Sequence, residues 1–188
     1  PQTAPKALRV NGYEANDMIF EHPKKVYREY LAKSEISTNS EALLRVWNFR
    51  NITGTKANTP EGRAQIVSRE REVLQHINHQ NRDLYNHCLR SLTSFQKDEV
   101  TAEYSEVYEV PPGHVRFNEF IGKYGKNFSD MDRLNVVKLL IAKFSDLHEM
   151  KIAHRDVADH SLWISPSKEV ALSNFISAYH LSLIHISE

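Results

Sequence analysis

His154, Arg155 and Asp156 set an imidazole, a guanidinium and a carboxylate side by side in the chain. A carboxylate acts as a general base wherever it comes within hydrogen-bond reach of an acceptor hydroxyl. Ser161, Trp163 and Asn174 follow closely and add a hydroxyl, an indole and an amide. His76 and His79 are spaced like metal ligands, with His87 not far away, but no cysteine or acid completes a set, so a helix-end and surface role is expected. Lys24, Lys25, Arg28 and Lys33 form a modest basic strip, which reads as a solvated face rather than a nucleic-acid site.

The composition excludes several classes. The chain has 188 residues, 40% hydrophobic and 26% charged, which suits one globular domain with its own core. Lysine plus arginine balances aspartate plus glutamate at 24 each, so no global charge points to nucleic acid or membrane partners. Cys88 is the single cysteine, which excludes an internal disulfide framework and fits a reducing, cytoplasmic compartment. The longest apolar stretch is interrupted by Lys138 and is too short to span a bilayer. With neither a signal peptide nor an initiator methionine, the chain is expected to begin inside a longer protein.

The elements that must position these side chains alternate between strands and helices. Residues 1–17 are weakly patterned and read as a linker or the tail of a preceding domain. Residues 18–20 and 26–31 read as strands, and residues 41–49 as a third. Thr59, Pro60 and Glu61 open a helix in which Ile66, Glu70, Val73, Leu74 and Ile77 recur at helical spacing. Residues 88–95 and 103–110 read as two further strands, the second broken by Pro111, Pro112 and Gly113. Ser129 caps a long helix with Asp130 and Asp132 in its first turn, and Leu134, Val137, Leu140, Ile141, Phe144 and Leu147 are its expected buried stripe. A loop at 154–161 and a hairpin of residues 162–165 and 170–172 follow.

The phrase Leu147-His-Glu-Met-Lys-Ile-Ala-His-Arg-Asp resembles the end of the long helix and the catalytic loop of protein kinases. Residues 69–81 resemble the regulatory helix and its exit, with Glu70 in the place of the ion-pairing glutamate. Ala42-Leu-Leu-Arg resembles the strand that carries the phosphate-binding lysine, with Arg45 in its place. Val107-Tyr-Glu-Val-Pro-Pro-Gly resembles the hinge, with Tyr108 as gatekeeper and Glu109 and Val110 in the hinge strand. Ala171-Leu-Ser-Asn-Phe-Ile resembles the metal-binding segment.

The resemblance implies an α+β, two-lobed protein kinase-like fold: a small lobe at 18–112 with a five-stranded antiparallel sheet and a regulatory helix, then the first part of a helical large lobe at 113–180. It assigns catalytic places to Asp156, Arg155 and His154. Nucleotide-binding places go to Arg45, Glu70, Tyr108, Glu109, Val110 and Trp163, and metal-binding places to Asn174 and Ser161. The cofactors it implies are ATP and magnesium if the domain is active, and none if it is not.

Several of these places are altered. Glu21-His-Pro-Lys-Lys-Val stands where a glycine loop covers the phosphates; Pro23 has no amide hydrogen to offer, and a plain hairpin turn is the expected reading. An arginine does not reproduce a lysine's single point contact, so Arg45 is expected to make a structural ion pair with Glu70. Asn174 and Ser161 are poor magnesium ligands, with Asp159 the nearest replacement carboxylate, and Ala158 takes the place of the loop lysine. Leu43 and Trp163 are larger than the family's usual residues above and below the adenine. Leu74, His154 and Phe175 keep the family's internal stack, while Tyr104, Tyr108 and Phe117 read as core and pocket wall.

The altered ligands favour a pseudokinase that serves as a regulatory binding module for a protein partner or for other domains of a longer chain. An atypical active Ser/Thr kinase is the alternative, and a small-molecule phosphotransferase of the same fold is a third. The texture also resembles kinase-like domains of large bacterial multidomain proteins, some of them in phage-defence systems. Residues 181–188 resemble translated sequencing-adapter DNA rather than an activation segment and are expected to be non-native, so uncovered apolar surface is expected on the helix at 134–147.

Overall fold

The structure is a computed structural model that describes residues 8–36, 41–92, 96–97 and 104–181. Expectations that fall on residues 1–7, 93–95, 103 and 182–188 lie outside the described residues. In chain order the elements are β1 (Arg9–Val10), β2 (Tyr13–Glu21), β3 (Tyr27–Ser34), β4 (Glu41–Trp47), α1 (Pro60–Gln80), α2 (Arg82–Asn86), β5 (Arg90–Ser91), β6 (Gln96–Lys97), β7 (Tyr104–Glu109) and β8 (Val115–Arg116). They continue with α3 (Phe117–Tyr124), α4 (Asp130–Glu149), β9 (Ile152–Ala153), β10 (Leu162–Ile164), β11 (Val170–Leu172) and β12 (Tyr179–His180). The class is α+β, as expected. Among the described residues no helix is long and apolar enough to cross a membrane.

The chain divides into two compact units. The first runs up to Val67 and includes Arg90–Val110; the second holds Ser68–Leu89 and everything from Pro111 on. Most of α1 therefore belongs with the second unit, whereas the sequence reading places it with the sheet. The reason is its apolar stripe: Val73, Leu74 and Ile77 share one core cluster with Leu147, Ile152, Leu172 and Phe175.

The first unit is an antiparallel sheet of order β1-β2-β3-β4-β7-β5, with β6 also pairing β7. That makes seven strands among the described residues rather than five. The extra strands include β1, so residues 9–17 are not a linker: Arg9 and Val10 pair with Glu14 and Tyr13, and Val10 and Ala15 are buried. Side chains alternate across a strand, and here the two faces differ in kind. One carries Ala32, Leu44, Val46 and Val107 and packs on Val10 and Ala15. The other carries Tyr27, Glu29, Leu43, Arg45, Trp47, Tyr104, Glu106 and Tyr108, all buried. The β2–β3 connection at residues 22–26 is a hairpin turn closed by His22 N–H donating to the Tyr27 carbonyl, in keeping with the expected plain turn.

Both long helices begin where their caps predict. The Thr59 hydroxyl accepts from the Gly62 amide at 3.1 Å, and Pro60 occupies the first helical position. Gly62 has no substitute there, because a Cβ would sit 2.0 Å from the Lys56 carbonyl oxygen. Ser129 and Asp132 form a reciprocal capping box at the start of α4, worth about 0.5–2 kcal/mol for the Ser129 hydroxyl. Asp132 also pairs with Lys168 at 2.7 Å.

The buried stripe of α4 requires a correction. Val136 and Leu147 are buried and Leu140 and Phe144 half-buried, but Leu134, Val137 and Ile141 are exposed, Ile141 at 64%. The six expected residues span too wide an arc for one contact face. The covered face is centred on Val136, Leu140 and Leu147, and the neighbouring arc is the uncovered apolar surface anticipated from the sequence. The helix α3 was missed, being short and carrying Gly122 in its interior. The β10–β11 hairpin forms as expected and gains β8 as a third strand through Trp163 opposite Arg116.

Candidate functional site

The site residues fall into two groups, one in each unit. In the second unit, the turn after β9 carries His154, Arg155 and Asp156, and the end of β11 carries Ser173 and Asn174. His154 is buried between Phe144 and Phe175, its ring edge-on to theirs with centroids 6.1 and 4.8 Å away. Its Nε2–H donates to the Ser173 carbonyl at 2.8 Å, while Nδ1 accepts from the Asp156 amide at 3.3 Å. That pattern needs a neutral imidazole. Burial also holds its pKa below the ordinary histidine value, against the raising effect of the Ser173 hydrogen bond.

A histidine harder to protonate when folded gives its stability in full above the unfolded pKa of about 6.5, and loses it as pH falls below that value. The melting temperature is expected to drop between pH 7.5 and 5, with a shallower drop in His154→Asn. His76, also lowered chiefly by burial, adds to the same slope.

Asp156 is half-buried and surrounded by its own loop. Its carboxylate accepts a close hydrogen bond from Asn174 Nδ2, and its carbonyl accepts from the Ser161 hydroxyl at 2.6 Å. His160 Nε2 lies 3.8 Å from the same carboxylate and Nδ1 lies 3.7 Å from Asp159. Asn174 is 1% exposed and sits in the left-handed region at φ 65°, where asparagine is among the residues best tolerated. Its Oδ1 is buried with no hydrogen-bond partner among the described residues. The structure thus brings Asp156, Ser161 and Asn174 together, and joins them with hydrogen bonds among themselves.

Glu70, from α1, is buried and accepts the Phe175 backbone N–H at 3.0 Å. Arg155 is exposed, with φ 67° and its guanidinium 5.8 Å from the Tyr179 ring centroid. Trp163 is buried in β10; its indole N–H donates to the Ser173 hydroxyl at 2.9 Å, and the Arg116 guanidinium lies over its ring at 4.7 Å.

In the first unit Arg45 is 1% exposed and held from several sides. Its Nε and Nη2 donate to Glu29 Oε1 at 2.9 and 2.8 Å. Its guanidinium lies over Tyr27, Trp47 and Tyr108, at 4.4, 5.2 and 4.7 Å from the ring centroids. Nη1 approaches the Tyr108 hydroxyl at 3.4 Å, and that hydroxyl donates to Glu106 at 2.9 Å. Ser91 donates to the other Glu106 oxygen. The strand register explains the cluster: Glu29 stands opposite Arg45 on β3, and Glu106 opposite it on β7. Glu109 pairs with Arg90 at 2.6 Å, and Val110 is half-buried just beyond the end of β7. Arg45 and Glu70 fall in different units, and each has the partners just described within its own.

Glu29, Glu106, Ser173 and His160 were missed from the sequence. The signal for Glu29 and Glu106 was present as acids alternating with aromatic residues on one face of each strand, but it reads only once the register is known. His76 meets a different neighbour than the spacing suggests, its ring tilted at 56° against that of His180 with centroids 4.2 Å apart. His87 Nδ1 bonds the Asp83 carbonyl, 2.9 Å away. No protein-family model matches the chain, and no curated protein matches it.

Chemically, the second-unit group offers a divalent cation one carboxylate, and that carboxylate faces the donor end of the Asn174 amide. The buried Asn174 Oδ1, without a hydrogen-bond partner among the described residues, is an acceptor there that a cation would relieve. In the first unit two carboxylates surround one guanidinium, so the cluster is formally negative and disfavours an anion.

Proposed function

We propose that the chain is a protein kinase-like domain in which ATP phosphotransfer is weakened or lost, acting as a regulatory binding module for a protein partner or for further domains of a longer chain. The observation that carries this reading is the buried Glu29–Arg45 pair. A cation that is to hold phosphate must be free to exchange a weak partner for the anion. Arg45 has a carboxylate, three aromatic faces and a tyrosine hydroxyl already in place, and Glu106 stands behind that hydroxyl. Extracting it would leave Glu29 buried without its counter-charge, a cost of several kcal/mol.

The magnesium places support the same reading. Asn174 gives its amide hydrogen to Asp156, and Ser161 gives its hydroxyl hydrogen to the Asp156 carbonyl. Magnesium prefers anionic oxygen, so these residues do not fit it. The second reading, an atypical active Ser/Thr kinase with Asp156 as base, draws on the half-buried Asp156 carboxylate and the unpartnered Asn174 Oδ1.

A single-turnover assay separates the two. With labelled ATP, magnesium and a mixed protein substrate, the chain is expected to transfer no more phosphate than its Asp156→Asn variant. Transfer above that background, abolished by Asp156→Asn, would establish the kinase reading instead.

A further inference from the structure

A cavity of about 210 Å³ opens in the second unit between α3, the turn after it and the β10–β11 turn. Its lining is Phe120, Tyr124, Asn127, Phe128, Pro166 and Lys168. The Phe120 ring centroid lies 5.1 Å from that of Tyr124 and 5.8 Å from that of Phe128, the latter pair edge-on. Phe120 and Phe128 share a core cluster with Val136, Ile164 and Val170, so the aromatic wall is held from behind. Tyr124, Asn127 and Pro166 are exposed at the mouth. The Lys168 ammonium is held 2.7 Å from Asp132 Oδ1, and the other oxygen of that carboxylate accepts the Ser129 amide. Its charge is thereby offset, yet an ammonium has three hydrogens, and two remain for a ligand.

We propose that this cavity is a docking site for an acidic segment of a partner protein, which inserts one aromatic side chain. Pockets for small molecules and cofactors enclose about 300–1,000 Å³, and a smaller space walled by three aromatic rings suits a single ring packed edge-on or offset. The polar groups at the mouth match a peptide backbone. Lys168, already neutralised, donates to a carbonyl without demanding an anion, and the Asn127 amide both donates and accepts. Charge at the mouth selects the flanking residues. On α3 and the turn after it, Lys123 and Lys126 stand against Glu119, and the Lys123 ammonium lies 5.3 Å from the Tyr124 ring centroid. The acids beside them are engaged: Asp130 pairs with Arg133, Asp132 with Lys168, and Glu169 lies within electrostatic reach of Lys143. An acidic neighbour on either side of the inserted ring therefore meets a complementary surface. Docking here requires neither nucleotide nor phosphate transfer, so its failure would leave the pseudokinase reading as it stands.

The test is fluorescence anisotropy of a labelled, acetylated peptide with one phenylalanine between two pairs of glutamates, titrated with the full chain. One saturable equivalent is expected, weakened at least about tenfold when alanine replaces the peptide's phenylalanine, and likewise in the Tyr124→Ala protein. The double variant Lys123→Glu, Lys126→Glu is expected to weaken binding several-fold and to flatten its salt dependence, with Lys33→Glu in the first unit without effect. Should Tyr124→Ala fail to fold by circular dichroism, Asn127→Trp obstructs the exposed mouth and is expected to weaken binding as much. No saturable binding, equal affinity for the phenylalanine and alanine peptides, or unchanged affinity in Tyr124→Ala would overturn the proposal. Two other results would overturn it as well. Displacement by free N-acetylphenylalanine at the peptide's own concentration would make the occupant a small molecule, and self-association lost in Tyr124→Ala would make it a second copy of the chain.

Discussion

Replacing Arg45 with alanine is expected to lower the stability of the first unit by about 3–5 kcal/mol, a fall in melting temperature on the order of 10 °C. The size follows from what is left behind. Glu29 and Arg45 are both almost fully buried, and a carboxylate without its counter-charge has no route to water. Three aromatic faces also lose the cation they cover. The cause can be isolated with the double variant Arg45→Met, Glu29→Gln. Replacing a buried ion pair with well-packed neutral side chains is often close to neutral, so the double variant is expected to recover most of the loss. Equal destabilisation of the single and double variants in urea unfolding would show that packing, not charge compensation, dominates.

Phe175→Ala is expected to cost about 3–5 kcal/mol in the second unit, read as a lower denaturation midpoint with an unchanged slope. Phe175 is fully buried and shares a core with Leu74, Ile77, Leu147 and Leu172. Its ring also supports the edge of His154, and its backbone N–H is the hydrogen that Glu70 accepts. Truncation removes the ring but keeps the N–H, so the cavity rather than the hydrogen bond accounts for the loss. Phe175→Leu fills much of the space and is expected to cost less than half as much. Because Asn174 precedes Phe175 directly and takes a left-handed backbone there, the same variant is expected to loosen the Asn174–Asp156 hydrogen bond. A cost below about 1 kcal/mol for the alanine variant would contradict the core assignment.

Local signals were legible where one residue type has one physical use. Thr59 and Ser129 each cap a helix because their hydroxyls satisfy amides that the first turn leaves open. The turn between β10 and β11 reads directly from Pro166 and its neighbours, and the packing of His154 on Phe175 was an expectation of the resemblance. Features that depend on register or on distant packing were not legible. Glu29 looks like an ordinary strand acid until β3 is set against β4, and only then does it meet Arg45. Val10 is buried by a two-residue strand too short to leave a periodic pattern. Leu134, Val137 and Ile141 carry helical spacing, yet spacing alone does not say which arc of a helix is covered. For the candidate site, the residue types at Asp156, Ser161 and Asn174 were legible and their direct hydrogen bonding to one another was not.

On the proposed reading, the Arg45 guanidinium and the amide and hydroxyl hydrogens of Asn174 and Ser161 are engaged within the protein and do not exchange for nucleotide or magnesium. Thermal unfolding of the full chain with millimolar ATP, with and without magnesium, tests it most directly. The expected result is a melting temperature that stays within about 1 °C of the nucleotide-free value in both conditions. A magnesium-dependent rise of about 5 °C or more, lost in Asn174→Ala, would contradict it.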